Sequence, residues 1–252
     1  MKRILFSIMA GCFLLTGCLE TTQEITLKED GSGVLNSTSD MSSILAIAKN
    51  MGGGEQMENM AGEKMDTLIS LAKASDSIPD LSSEEKILLR KGMLRMKMDL
   101  KEGQFLTEMN FPFTELNEIA AYNKLTGKLM SKLVKDQMKE SPMGGGMDGE
   151  MPDPSSFDDY YKLSYEKGGI KKSLDKEKYA SASSDEYLNS LKQAASMGIP
   201  VSATYIINLP RPAEKVEGKN AKLSDDKMKV TVKADLDDFF DDPEKLEFKI
   251  KY

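Results

Sequence analysis

Strict alternation of apolar and polar residues is the feature of this sequence that most restricts what it can fold into. A period of two residues places the apolar side chains on one face of a β-strand and the polar ones on the other. The alternating apolar residues are Leu94, Met96, Met98 and Leu100, then Val201, Ala203, Tyr205, Ile207 and Leu209, then Met228, Val230, Val232 and Ala234, and finally Leu246, Phe248, Ile250 and Tyr252. Such regular alternation is typical of antiparallel strands that pack on one face and meet water on the other.

Turn residues between such stretches predict hairpins that are each followed by a helix, and this order occurs three times. The first hairpin joins Glu24–Lys28 to Val34–Ser39, and Asp30-Gly31 supplies the positive φ that its turn needs. A helical stretch with apolar residues between Ile44 and Ala48 is predicted next, and Gly52–Gly54 interrupt it. Four apolar residues at helical spacing predict that the helix resumes near Gly62. These residues are Met65, Leu68, Ile69 and Ala72.

The second unit has the clearest pattern. It pairs the strand at residues 94–100 with Phe105–Phe113 across a turn at Glu102-Gly103. A helix is predicted from Thr114 to about Lys139, with its acidic residues early and its lysines late. This distribution of charge complements the helix dipole and therefore supports the prediction.

The third unit pairs Tyr160–Glu166 with Ile170–Leu174. A capping box formed by Ser183 and Glu186 predicts the start of the helix that follows. Before this unit, residues 141–156 are rich in Met, Gly and Pro, which excludes a regular helix or strand. We interpret residues 141–156 as a flexible loop.

Together these patterns predict the fold class. We expect an α+β fold in which an antiparallel sheet of hairpins packs against about three helices in two layers. Residues 24–252 are predicted to form a single domain, and the 252-residue chain is long enough to bury a proper core.

The N-terminus has the organisation of a secretory signal peptide. Lys2 and Arg3 precede Ile4–Leu15, a mostly apolar and uncharged run. This run falls well short of the roughly 20 residues that span a bilayer, and its length suits the apolar core of a signal peptide. Residues 1–17 are therefore predicted to be a cleaved leader. No later segment is long and apolar enough to be predicted as a membrane span.

The residues that end this run, Leu15-Thr16-Gly17-Cys18, resemble the lipobox of bacterial lipoproteins. The resemblance implies a diacylglyceryl group on the Cys18 thiol, cleavage before Cys18 and acylation of the new amine. Two or three acyl chains hold a protein firmly on a bilayer, so residues 18–23 would be a lipidated tether. Leu19 stands where Asp would favour inner-membrane retention, which points to the outer membrane if the cell has one. An ordinary secretory signal with a chance Cys, or an uncleaved buried helix, is the alternative.

The composition excludes several classes of catalytic and binding site. The chain has no His, and its two Cys residues are Cys12 in the leader and Cys18. Zinc sites, Ser-His-Asp triads and Cys-His dyads therefore have no candidate residues. The net charge of −7 argues against a nucleic-acid partner. We expect a protein that is not an enzyme and needs no cofactor.

Two clusters of Met around Gly triplets are the most unusual feature of the chain. They comprise Met51, Met57, Met60 and Met65, and Met138, Met143, Met147 and Met151. Clustered thioethers are soft ligands that could bind Cu(I) or Ag(I). The alternative is that Met fills irregular gaps or makes an adaptable surface for a partner or a membrane.

An acidic run near the C-terminus invites a calcium hypothesis. It contains Asp235, Asp237, Asp238, Asp241, Asp242 and Glu244. The EF-hand spacing and its central Gly are absent, so we prefer a solvated turn around Phe239-Phe240.

The C-terminal strands resemble the LppM-type domain of bacterial lipoproteins. The resemblance is carried by residues 205–210, by Lys227–Lys233 and by the early segment Asp30–Gly33. Pro210 is followed by Arg211 where that family has Gly, and the chain has no Trp where the family has one. The resemblance covers about a third of the chain and implies an envelope lipoprotein with a lipid-contacting surface.

The sequence therefore predicts a lipid-anchored envelope protein of non-enzymatic type. We expect a binding or assembly module that contacts envelope lipid or a protein partner. The alternative function is soft-metal binding through the Met clusters.

Overall fold

The computed structural model describes residues 19–42, 64–76, 81–140, 157–166, 168–196 and 199–252. The predicted leader, Cys18 and the predicted loop 141–156 lie outside these residues. The strands are β1 Leu19–Leu27, β2 Gly33–Asp40, β3 Lys64–Ser70, β4 Met93–Asp99, β5 Gln104–Phe113, β6 Tyr161–Glu166, β7 Gly169–Leu174, β8 Val201–Asn208, β9 Lys215–Glu217, β10 Ala221–Leu223, β11 Lys229–Asp235 and β12 Phe248–Lys251. The α-helices are α1 Leu71–Asp76, α2 Ser83–Arg90, α3 Asn117–Glu140, α4 Lys176–Tyr179, α5 Glu186–Ser196 and α6 Leu236–Asp241.

The α+β class is confirmed, but the predicted sheet and helix count are wrong in detail. The strands form two sheets instead of one, and the described residues contain six α-helices instead of about three. The larger sheet has the order β10-β11-β8-β1-β2-β5-β4-β3. It is mixed, because β1 pairs with β8 in parallel and with β2 antiparallel. Alternation within a strand fixes its two faces but not the direction of its neighbours, so this parallel pairing was missed.

One face of the larger sheet carries the core. A row of paired residues crosses five neighbouring strands through Val230, Ile207, Ile25, Leu35 and Phe111, and all five side chains are buried. The opposite face carries mostly polar residues, such as the neighbours Glu24, Asn36 and Asn110. This division explains the alternation in the sequence, since each strand places one set of side chains in the core.

Two different layers cover the apolar face. Helix α3 covers one half, where Tyr122 stacks on Phe111 with ring centroids 3.9 Å apart. The smaller sheet, in the order β6-β7-β12-β9, covers the neighbouring part and contributes the buried Phe248 and Ile250. The buried apolar residues of both layers belong to one core.

The predicted hairpins are confirmed at β1–β2, β4–β5 and β6–β7. The first hairpin depends on two glycines for different reasons. Gly31 has φ +85°, and a Cβ on Gly33 would lie 2.1 Å from the carbonyl oxygen of Thr26. Residues 19–23, which were assigned to the tether, lie in β1 because both flanking strands continue far enough to pair with them.

The helical stretch predicted at residues 44–48 lies outside the described residues, and the predicted resumption of the helix near Gly62 is wrong. Residues 64–70 form β3, and helix α1 begins only at Leu71. Met65, Thr67 and Ile69 alternate with polar residues and with Leu68, which is 65% exposed. The helical spacing of the apolar residues was therefore coincidental, because hydrogen bonding to β4 decided the conformation.

Two local predictions in the C-terminal half are also corrected. Asp185, and not Ser183, caps helix α5, since its carboxylate accepts a hydrogen bond from the Leu188 amide at 2.9 Å. The segment around Phe239 is helix α6 and not a solvated turn, and the Phe239 ring is fully buried. Phe239 stacks on Phe157 at 4.8 Å, so burial of this ring outweighs the acidity of its neighbours.

Candidate functional site

A buried lysine lies where the two sheets meet. In β7, Ile170, Lys172 and Leu174 point towards the larger sheet, and only 4% of the Lys172 side chain is exposed. Burial of a charged group is costly unless it is paired and hydrogen-bonded. Among the described residues, Lys172 and its partners therefore form the polar cluster whose burial costs the most free energy.

Three side chains surround the ammonium group. Lys172 Nζ donates to Asp158 Oδ1 at 2.5 Å. The same nitrogen lies 3.5 Å from the ring centroid of Tyr205 and 4.9 Å from that of Tyr161. The carboxylate balances the charge, and the two ring faces stabilise the cation where water is excluded.

A second set of polar groups holds Asp158 in place. Gln23 Nε2 donates to Asp158 Oδ2 at 2.7 Å, and Asn123 Nδ2 donates to Gln23 Oε1 at 3.4 Å. The charge of Asp158 also acts on the Tyr205 hydroxyl and, together with burial, raises its pKa. The cluster thereby connects β1 and β8 of the larger sheet, helix α3, the turn before β6, and β7 of the smaller sheet.

Burial dominates the titration of this cluster. It lowers the pKa of Lys172 because the charged form loses its hydration, and the charge of Asp158 opposes this shift. Burial and the neighbouring carboxylate raise the pKa of Tyr205 well above its ordinary value. The pKa of Tyr161 is also raised, mainly by burial. The cluster therefore keeps both phenols neutral at physiological pH.

Two small cavities adjoin the cluster, with Gln23, Asp158 and Tyr205 lining both of them. The cavity on the α3 side has a volume of about 30 Å³ and is also lined by Ile25 and Ile119. The cavity on the α5 side has a volume of about 100 Å³. The first has room for about one water molecule, so in this conformation the cluster can hold a small polar molecule but not a larger substrate.

The sequence contains a signal for this cluster, although the cluster was not predicted. Lys172 stands between Ile170 and Leu174 on the apolar side of an alternating strand. A lysine at such a position must be paired or must disrupt the packing. The partner could not be identified, because Asp158 is one of 41 acidic residues and its position beside β7 depends on the tertiary fold.

Cys18, the predicted lipidation site, lies just outside the described residues. Leu19, the next residue, is the first residue of β1 and pairs with Val201 at the start of β8. Asp40 at the end of β2 and Asp235 at the end of β11 belong to the same end of the sheet. We call this end, at which strand β1 begins, the β1 end of the sheet.

The structure does not bring the predicted Met ligands together among its described side chains. Met65 lies in β3 and pairs with Met98 of β4, which was not one of the predicted ligands. Met138 lies in helix α3, but its side chain is not among the described ones. The remaining six, Met51, Met57, Met60, Met143, Met147 and Met151, lie outside the described residues.

Carboxylates of the acidic run form hydrogen bonds and ion pairs with other groups of the protein. Asp235 and Asp238 form a capping box at the start of helix α6, and Asp242 pairs with Lys219 at 2.8 Å. Within the described ranges, no three His, Cys, Asp or Glu residues are grouped so that they could hold a metal ion. No described helix has the length and apolarity of a membrane span.

Comparisons with known proteins give one result. No family model and no curated protein matches the chain. Among solved structures, the fold is similar to the folded domain of LppM from Mycobacterium tuberculosis, determined by NMR. The likeness has a TM-score of 0.38 and 10% identity, and it covers 96% of this chain and 94% of that one.

Proposed function

We propose that the chain is a lipid-anchored protein of the bacterial cell envelope that binds an envelope lipid or a protein partner and is not an enzyme. The observation that carries the proposal is the position of β1. This strand begins at Leu19 and is hydrogen-bonded on both sides, to β2 and to β8. A lipid on Cys18 would therefore be attached directly to the middle of the larger sheet, with almost no free chain between them.

This attachment would hold the β1 end of the sheet against the bilayer. At this end the described chain also leaves β2 at Asp40 and enters β3 at Lys64, since Asp40 pairs with Leu106 and Lys64 with Asp99. The segment with the first Met cluster is thus connected to the fold on the membrane side. This placement supports a role for Met in contact with a membrane or a partner.

The chemistry of the chain supports binding in preference to catalysis. His is absent, and Cys18 would be the only Cys left after cleavage. The buried Lys172 is neutralised by Asp158 and covered by two tyrosine rings, so its role is to join the two sheets. We therefore assign the cluster to the stability of the layer packing.

Lipidation is tested by mass spectrometry of the N-terminal peptide of the full chain, expressed in a Gram-negative host. We expect a peptide that begins at Cys18 and carries a diacylglyceryl group. Cys18→Ser should lose the lipid and leave the membrane fraction, whereas Cys12→Ser, which changes the other cysteine, should not. A bare thiol at residue 18, or retention of residues 1–17, would refute the proposal.

The membrane is tested by density-gradient fractionation of the same cells. Because Leu19 follows the lipidated residue, we expect to find the protein in the outer-membrane fraction. Leu19→Asp should move it to the inner membrane. Equal distribution of the two variants would contradict this assignment.

Partner binding is tested by crosslinking the full chain in intact envelopes. Deletion of residues 141–156 should weaken the crosslinked complex. A variant with a Gly/Ser segment of the same length separates loss of side chains from shortening of the chain. If neither variant changes the complex, residues 141–156 do not contribute to binding.

A further inference from the structure

The outer face of the smaller sheet is strongly basic although the protein is acidic. Its described outward side chains on β6, β7, β9 and β12 comprise five lysines, two serines and one glutamate. They are Lys162, Lys171, Lys215, Lys249, Lys251, Ser164, Ser173 and Glu217. All five lysines are exposed, and we call this surface the lysine face.

The strand register places like charges directly opposite each other. Lys249 of β12 pairs with Lys171 of β7, and Lys251 pairs with Lys215 of β9. Residues directly opposite on neighbouring strands have Cβ atoms about 5 Å apart, and like charges there destabilise the sheet. The face therefore carries an electrostatic cost that a bound anion would remove.

Nearby carboxylates compensate only part of this charge. Lys162 pairs with Asp175 at 2.9 Å and Lys251 with Glu214 at 2.8 Å, while Lys215 pairs with Glu217. The lysine partners in these pairs are about two-thirds exposed, and such exposed pairs contribute little to stability.

The two central lysines differ from the others. Among the described side chains, neither Lys171 nor Lys249 forms an ion pair within 4.0 Å, although Glu217 lies opposite Lys249. Both line an open groove of about 660 Å³ together with Ser173, Gly218 and Lys219. Three glutamates, Glu217, Glu244 and Glu247, line the same groove. Lys219 forms ion pairs with Asp242 and Glu244. Among the described side chains, the unpaired positive charge of the lysine face therefore lies on its two central strands, at Lys171 and Lys249.

The side chains of the face indicate the chemistry of its partner. Its described outward positions include no aromatic or large apolar residue, which protein–protein interfaces need as anchors and single-stranded nucleic acids need for base stacking. A lysine ammonium group acts as a point charge. It therefore favours a ligand of high charge density, such as phosphate, and does not select a planar group as the arginine guanidinium does. We propose that the lysine face binds a phosphate-rich polyanion. This inference stands on the smaller sheet alone and does not depend on lipidation of Cys18.

The test measures binding of long-chain inorganic polyphosphate to the full chain in detergent. Affinity should fall steeply with salt, because each neutralised phosphate releases a counterion. Lys171→Glu combined with Lys249→Glu should weaken binding by about tenfold or more at low salt and flatten the salt dependence. The matched control, Lys222→Glu combined with Lys229→Glu, makes the same change in net charge at exposed positions of the larger sheet and should bind like the unmodified protein.

Three results would overturn the inference. The first is equal weakening by the two double variants, which would show that only net charge matters. The second is binding of polyglutamate as tight as that of polyphosphate of similar length, since the partner would then be a carboxylate polymer or an acidic protein. The third is tighter binding of single-stranded DNA than of polyphosphate, which would require base contacts. Circular dichroism of both variants establishes that the sheets remain folded.

Discussion

Replacing Asp158 by Asn removes the charge that balances the buried ammonium of Lys172. Removing one partner of a buried ion pair costs about 3–5 kcal/mol, because the remaining charge is left without compensation. The rings of Tyr205 and Tyr161 still face the ammonium and retain part of the stabilisation. We therefore expect Asp158→Asn to lower the free energy of unfolding by about 3 kcal/mol, the low end of this range.

The assay is urea unfolding at pH 7, followed by circular dichroism. For an m-value of about 2 kcal/mol/M, the midpoint should fall by about 1.5 M. The double variant Asp158→Asn with Lys172→Met should recover much of this loss, because replacing a buried pair by uncharged groups is often neutral. Asp66→Asn removes an exposed partner of Arg95 and is the control, for which little change is expected.

The pH dependence gives an independent check. Burial lowers the pKa of Lys172, and loss of Asp158 lowers it further. Between this lowered pKa and the ordinary lysine value of 10.5, the unfolded chain binds a proton that the folded chain does not. The stability of Asp158→Asn should therefore rise with pH in this window.

The upper limit of this measurement is set by the buried tyrosine. The pKa of Tyr205 is raised above its ordinary value of 10.0, so above that pH the unfolded chain loses a proton that the folded chain keeps. Stability then falls again, and measurements should stop near pH 9.5. An unchanged urea midpoint in Asp158→Asn, or a double variant no more stable than this single variant, would refute the reasoning.

Three smaller predictions test other contacts. Tyr160→Phe removes the hydrogen bond that the Tyr160 hydroxyl donates to Asp185 Oδ2 at 2.6 Å, so thermal unfolding should show a loss of about 1–3 kcal/mol. Gly33→Ala places a Cβ against the Thr26 carbonyl and should cost about 1–3 kcal/mol or prevent folding, as urea titration would show. Ser82→Ala removes the capping box that Ser82 forms with Glu85 and should cost about 1 kcal/mol, measured in the same way. Unfolding midpoints equal to that of the unmodified protein would contradict each of these.

Local patterns predicted most of the strands that position the site. The hairpins around Gly31 and Gly103 were predicted from glycines in short turn segments, and both glycines have positive φ in the structure. Such signals depend only on residues near one another in the chain, and β1–β2 and β4–β5 show the expected antiparallel register.

Where two local patterns competed, the sequence was not decisive. Residues 64–72 satisfy a helical spacing, yet β4 was available to pair with residues 64–70 and this pairing determined a strand. At helix α5, both Ser183 and Asp185 can act as caps, and the observed start of the helix selects Asp185.

By itself the sequence determined the α+β class, the faces of the alternating strands and the features of the N-terminus that predict lipidation of Cys18. Only the tertiary structure decided that β1 pairs in parallel with β8, that the strands divide into two sheets, and that Lys172 meets Asp158 between them. The reason is physical. Alternation and turn chemistry act over a few residues, whereas Leu19 and Val201 meet across most of the chain because their strands bury a common apolar face.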